Sequence, residues 1–176
     1  MFRRFLVILV LPFAAFIAFA ASASAGTMFN AAAAPQGTHL VEGTPTPTCT
    51  VSGLNVSCNS YELAGVGNTN ATATLSTTYS ATVVCINNGG NPSDGQHQGT
   101  FTTTTSTPLL SPKNGRLTVP PLSATAPTEQ QFLAQQTCPN PNWTPTIPGG
   151  ITLSSFTYTV SFEGFTGSYI TITPDP

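Results

Sequence analysis

Apolar and polar residues alternate with period two over much of this chain, and no helical periodicity of comparable strength competes with it. The longest such run is Asn70 to Ile86. Its odd positions carry Ala71, Ala73, Leu75, Thr77, Tyr79, Ala81, Val83 and Cys85, and its even positions carry Thr72, Thr74, Ser76, Thr78, Ser80 and Thr82. One side is mostly apolar and the other hydroxylated, which predicts a half-buried antiparallel strand with Cys85 pointing inward. A strand of that length should bend or pass through a bulge. Ile151 to Phe162 repeats the arrangement with opposite parity: Phe156, Tyr158, Val160 and Phe162 on one side, Ser155, Thr157, Thr159 and Ser161 on the other. Shorter strands are expected at Gln98–Thr105, Arg116–Val119 and Tyr169–Thr173. Asn87-Asn88-Gly89-Gly90, Asp94-Gly95, Asn114-Gly115 and Pro148-Gly149-Gly150 supply the turns between them. Only Glu129 to Gln136 has the makings of a helical turn or two.

About seven or eight short strands with alternating faces predict an all-β fold, a two-sheet antiparallel sandwich of immunoglobulin-like topology. A jelly roll or small barrel is the alternative. The four cysteines, Cys49, Cys58, Cys85 and Cys138, add constraints. Thr48 to Cys58 reads as a hairpin turning on Gly53-Leu54, with glycine first as a type II′ turn requires. Counting outward pairs Ser52 with Asn55, Val51 with Val56, Thr50 with Ser57 and Cys49 with Cys58. The last is a non-hydrogen-bonded pair, whose Cα atoms lie close enough for a bridge. Cys85 to Cys138 follows by elimination, and its spacing resembles that of an inter-sheet immunoglobulin-type bridge. Trp143, however, follows the second cysteine instead of lying between the two. Neither His39 nor His97 stands at a zinc-ligand spacing from a cysteine, so disulfides are preferred to a metal site.

Residues 1–25 have the form of a signal peptide: basic Arg3 and Arg4, an uncharged apolar run from Phe5 to Ala20, and the small-residue ending Ala23-Ser24-Ala25. An uncleaved membrane anchor is the alternative, disfavoured by Pro12 and by the lack of a cationic stop. Removing 25 of the 176 residues leaves 151, about one domain. Residues 26–47, with Ala31 to Ala34 and Thr44-Pro45-Thr46-Pro47, read as a flexible Ala/Thr/Pro arm, and 48–176 as the β-sandwich domain. The whole chain has only four Lys/Arg and six Asp/Glu. Two of the four cations leave with the leader, so Lys113 and Arg116 face six carboxylates, a net charge of −4. Nucleic-acid binding, which typically draws on about six or more phosphate contacts, is excluded on that count. No membrane association is expected once the leader is cut.

Candidate chemistry is sparse. His97 lies near Asp94, but both suit a solvated turn, and His39 sits in the arm. A glycosidase needs two facing carboxylates, and only Glu62 with Glu129 could supply them. Asn87, Asn88, Asn91 and Asp94 offer oxygens to calcium with a single carboxylate among them. No catalytic, cofactor or metal residue is therefore assigned, and the chain is read as non-enzymatic. Trp143, Tyr61 and Tyr169 are the candidate ligand surface, because carbohydrate-binding modules present aromatic rings from β-sandwiches. The plainer account of Trp143, flanked by Pro141 and Pro145, is a lid over the core near Cys138. Thr-rich strands suit a wet sheet face. Ice binding through Thr ladders would need a solenoid or flat array, and no fixed-period repeat occurs.

Cys49-Thr-Val-Ser-Gly-Leu-Asn-Val-Ser-Cys58-Asn-Ser-Tyr-Glu-Leu-Ala-Gly, Cys85-Ile-Asn-Asn-Gly-Gly-Asn91 and Cys138-Pro-Asn-Pro-Asn-Trp143 resemble stretches of small exported actinobacterial proteins, disulfide-containing, β-rich and of unassigned function. The resemblance spans most of residues 26–176 and implies a location and fold class without a site. The sequence-level expectation is a secreted protein with a structural or adhesive role at or outside the bacterial envelope, touching cell-wall or extracellular glycan or other copies of itself. A carbohydrate-binding module is the alternative.

Overall fold

The computed structural model describes residues 25–111 and 114–174, with the backbone alone at 93–95. Most of the expected leader, together with Lys113 and Asp175, lies outside the described residues. The chain runs β1 (Ala25–Phe29), a 3-10 turn (Ala31–Ala33), β2 (His39–Leu40), β3 (Cys49–Ser52), β4 (Asn55–Cys58), β5 (Tyr61–Ala64), β6 (Ala71–Ile86), β7 (Pro92–Leu109), β8 (Arg116–Val119), β9 (Leu122–Ala124), α1 (Glu129–Leu133), β10 (Thr144–Thr146), β11 (Thr152–Phe162) and β12 (Ile170–Pro174). Every strand pair is antiparallel.

The larger layer is built on β6, whose alternation is that of a strand buried on one face. One side of β6 pairs with β7 along nearly its whole length. The other pairs first with β11 and then, at its C-terminal end, with β10. β12 and β1 continue the sheet beyond β11. The expected irregularities occur at Val84/Ile86 in the β6–β7 ladder and at Leu153/Ser155 in the β11–β6 ladder.

The smaller layer consists of two short three-stranded ladders, β2-β5-β8 and β3-β4-β9. They share a register. Val56 pairs with Ala124 and Cys58 with Leu122; Tyr61 pairs with Val119 and Ala64 with Arg116. Partner numbers have the same sum throughout, so 55–64 and 116–124 are two continuous partners interrupted only where Asn59-Ser60 faces Pro120-Pro121. Proline has no N–H to give a ladder, which accounts for the break.

A hydrophobic core lies between the layers, with Val56, Leu63, Leu117 and Val119 from one side and Leu75, Tyr158, Val160 and Ile172 from the other. β6 also extends past the smaller layer. There its inner face, Tyr79, Ala81 and Val83, is covered by Phe132 of α1 and by Ile147 in a second cluster. The fold is thus a β-rich, sandwich-like arrangement whose overhang carries its own cover. Thr128 caps α1 in a capping box with Gln131, a pairing that starts a helix too short to hold without tertiary support.

Both disulfides pair as expected, but the second does not bridge two sheets. Cys49 and Cys58 face each other at a Cα–Cα distance of 4.0 Å in the register read from the hairpin. Gly53 takes φ 60° and no non-glycine residue has positive φ among the described residues, as a type II′ turn demands. Cys85 is bonded to Cys138, and Cys138 lies in the loop after α1, so this bridge ties the cover to the end of β6. An inter-sheet bridge of the immunoglobulin type needs a strand at each cysteine, and Cys138 lies in none.

Residues 26–47 are not a free arm. β1 hydrogen-bonds β12 from Ala25/Pro174 to Phe29/Ile170, and Ala33 and Ala34 are buried. The Thr/Pro stretch is pinned by side chains. Asn59 accepts from the Thr48 N–H at 2.7 Å and donates to the Thr46 carbonyl at 3.0 Å, and Thr44 Oγ1 accepts from the Glu62 N–H at 3.0 Å. The composition is that of a linker, yet the segment gains an open strand edge to complete and a set of backbone partners.

One core position is at odds with its surroundings. Thr77 is fully buried on the inner face of β6, in register with Phe156 and Thr103, and its hydroxyl has no partner. Thr77→Val should stabilise the fold by about 1 kcal/mol, since a buried unsatisfied hydroxyl is replaced by a methyl of similar shape. Thermal denaturation of Thr77→Val beside Thr78→Val tests this. Thr78 bonds Thr102 on the wet face at 3.1 Å, so its valine variant should show no such gain.

Candidate functional site

The three aromatic residues singled out from the sequence do not form a surface. Tyr61 is 3% exposed and Tyr169 5%; both belong to the main core. Tyr61 Oη and Tyr158 Oη share a hydrogen bond of 2.9 Å, and Tyr169 donates to the Thr38 carbonyl at 3.1 Å. The Tyr169 ring meets Phe29 and Phe162 edge-on. Trp143 is half-buried in the loop before β10, which pairs with the far end of β6 at Ile86, whereas Tyr158, the partner of Tyr61, pairs with Leu75. Those two points are about 35 Å apart along the strand. The tyrosines bury because their rings fill the core and their hydroxyls find partners, both of them far away in sequence.

Burial also moves their titration. Tyr61 is pushed well above the ordinary 10.0, first by desolvation and then by Tyr158 beside it. Tyr158 is raised by burial against a lowering hydrogen bond from Tyr61, and Tyr169 is raised by burial. An unfolded tyrosine ionises first as pH rises, so the contribution of these groups is full below about pH 10 and is lost above it, by up to about 1.4 kcal/mol per pH unit for Tyr61. Urea midpoints measured from pH 8 to 11.5 should hold steady and then fall, less steeply in Tyr61→Phe. A midpoint unchanged through pH 11.5 would contradict this.

Glu62 and Glu129 do not share a cleft. Glu62 accepts from Arg116 at 2.8 Å and from Thr118 at 3.3 Å on the outside of the smaller layer, while Glu129 opens α1 beside Leu133, Thr144 and Pro145. His39 Nδ1 contacts the Gly37 carbonyl at 2.7 Å, and His97 lies on β7. Asn87 holds its own loop, accepting from the Gly89 and Asn91 N–H groups at 2.8 and 3.1 Å, so its oxygen already serves the turn.

What the fold does assemble is a hydroxyl face. The even positions of β6 register with Ser155, Thr157, Thr159 and Ser161 of β11 on one side and with Thr102, Thr104 and Ser106 of β7 on the other, and Thr171 of β12 extends the row beyond Thr159. Hydroxyls join across the β6–β7 ladder: Thr74 with Ser106 at 3.0 Å, Ser76 with Thr104 at 3.2 Å and Thr78 with Thr102 at 3.1 Å. Ser80 continues the network to Thr152 at 3.2 Å and to Ser154. No charged side chain stands in these rows; Glu163, which accepts from Asn70 at 3.2 Å, lies just past the end of β11. Such a face presents paired donors and acceptors at strand spacing and no net field, which suits a neutral hydroxylated partner and gives nothing to an ionic one.

Comparison with family models, with curated proteins and with solved structures finds no significant match. Both disulfides are formed and no cysteine is free among the described residues, in keeping with an oxidising compartment. No described helix is long and apolar enough to cross a membrane.

Proposed function

We propose that this chain is a secreted, non-enzymatic β-sandwich protein with a structural or adhesive role at or outside the bacterial cell envelope, acting through the hydroxyl face of its larger layer. The observation that carries this reading is that face: rows of Thr and Ser on neighbouring strands, hydrogen-bonded to one another and free of charge. Cell-wall or extracellular glycan is the partner whose chemistry matches, since it offers uncharged hydroxyls in repeating order. An immunoglobulin-like topology is the finer architectural reading; two antiparallel layers around one core support it, and the Cys85–Cys138 bridge lends it none.

The test is retention on isolated cell walls and on insoluble neutral polysaccharides. The unmodified protein should be retained, Thr157→Lys should be released because it puts a cation among the hydroxyls, and Trp143→Ala should behave as the parent. Loss of retention in Trp143→Ala alone would transfer the reading to a carbohydrate-binding module using that ring. No retention of the parent would remove the glycan partner altogether.

A further inference from the structure

β7 is an outer strand of the larger layer, with β6 as its only ladder partner among the described residues. Which of its residues face the open side can be read from three contacts. In an antiparallel strand the N–H and C=O of one residue point the same way, and the direction alternates along the chain. The Thr100 carbonyl accepts from Gln136 Nε2 at 3.2 Å, a contact made from the cover and not from β6. Even-numbered residues therefore point away from β6. The side-chain bonds Thr74–Ser106, Ser76–Thr104 and Thr78–Thr102 agree, because side chains approach most closely at pairs that exchange no backbone hydrogen bonds. Pro108 agrees as well: it is even-numbered and tolerated only where no ladder N–H is needed.

The open stretch consequently has defined ends. At one, Gln136 occupies Thr100, and Gly99 beside it has no room for a Cβ, which would sit 2.5 Å from Gln136 Oε1. At the other, Pro108 has no donor. Between them Thr102, Thr104 and Ser106 offer backbone N–H and C=O groups with no described partner, and all three residues are exposed. None of the usual protections of an edge is present in Phe101–Thr107: no lysine, no inward charge, no bulge.

We infer that this edge pairs with β7 of a second copy of the chain. The window is symmetric about Thr104, so an antiparallel two-fold arrangement sets Thr104 against Thr104, Thr102 against Ser106 and Ser106 against Thr102. Each such pair exchanges two backbone bonds, about six in all. Extending the register one step would bring Pro108 against the occupied Thr100, which limits the pairing to these three positions. A two-fold axis through Thr104 makes the contact isologous and closed, and it carries the hydroxyl face across the junction. Neutral side chains on both sides leave no repulsion at the contact. The inference is independent of the glycan reading; a monomer could still bind a wall polymer, and a dimer need not.

Sedimentation velocity of the disulfide-intact protein up to about 200 µM should show a concentration-dependent dimer, within the reach of a micromolar Kd. Thr104→Lys sets two cations opposite each other at the two-fold axis and should weaken the dimer at least about tenfold. Thr104→Glu should do the same, and an equimolar mixture of the two variants should restore association as a one-to-one heterodimer. Circular dichroism unchanged from the parent shows that each variant is folded; Thr104→Pro serves if either is not, since it removes the outward N–H of the central pair without costing a β6 ladder bond, and it should weaken the dimer likewise, a Thr104→Pro dimer as tight as the parent counting against the inference. A parent that stays monomeric, open-ended polymers, or a Thr104→Lys dimer as tight as the parent would each overturn the inference.

Discussion

Replacing Cys85 and Cys138 together by alanine should destabilise the protein by about 4 kcal/mol, and the same change at Cys49 and Cys58 by only about 2.5 kcal/mol. The difference comes from the unfolded chain. Cys85–Cys138 spans a sequence separation of 53 and Cys49–Cys58 a separation of 9, and the loop-closure entropy removed from the unfolded state grows with that length. The native states also differ in what holds the two sites. Cys49 and Cys58 belong to a four-pair hairpin ladder that keeps its register without the sulfurs. Cys138 lies in a loop, and without its bridge the cover over β6 retains only α1 and β10 as anchors. Urea denaturation of the two double variants, without reductant, checks the order as well as the size. Equal losses, or a larger loss at Cys49/Cys58, would show that the long loop is not what Cys85–Cys138 restrains.

The hairpin could be counted from sequence because its turn, parity and cysteines are all local. β6 and β11 were equally legible, since one face of each is apolar and the other hydroxylated, and the expected spans fall within a residue of the observed strands. β7 was only half visible: Gln98–Thr105 was expected and Pro92–Leu109 is formed. Its run of threonines fills both faces, so no alternation marks the register; β6 imposes it. The hydroxyl face was legible strand by strand, whereas its continuity depends on which strands become neighbours, a long-range fact. Tyr61 was misassigned for a related reason. A tyrosine reads as a wet aromatic unless its hydroxyl has a partner, and here the partner is Tyr158, a separation of 97 residues. Likewise β1 is too short to declare itself, and it forms because β12 leaves an edge to complete.

Phe132→Ala should cost about 3–5 kcal/mol, the range for emptying a buried phenylalanine site, and the loss should be confined to one end of the molecule. Phe132 is fully buried and is the one residue of five-residue α1 that is. It fills the space over Tyr79, Ala81 and Val83, and its ring stacks on Phe101 at 6.2 Å between centroids. A helix this short gains little from its own hydrogen bonds, so without the ring its capping box has nothing to position. The main core draws on other residues, Leu75, Tyr158 and Val160 among them, and should survive. Hydrogen exchange should therefore accelerate at the amides of α1 and of the overhanging β6 and β7 segments, while those of β11 and β12 keep their protection. A uniform loss across both regions would mean that the two clusters unfold as one. Local opening would also withdraw Gln136 from the Thr100 carbonyl, to which it donates at 3.2 Å. The same ring that completes the core thus sets where the open edge of β7 begins, and its removal should expose one more pairing position on that edge.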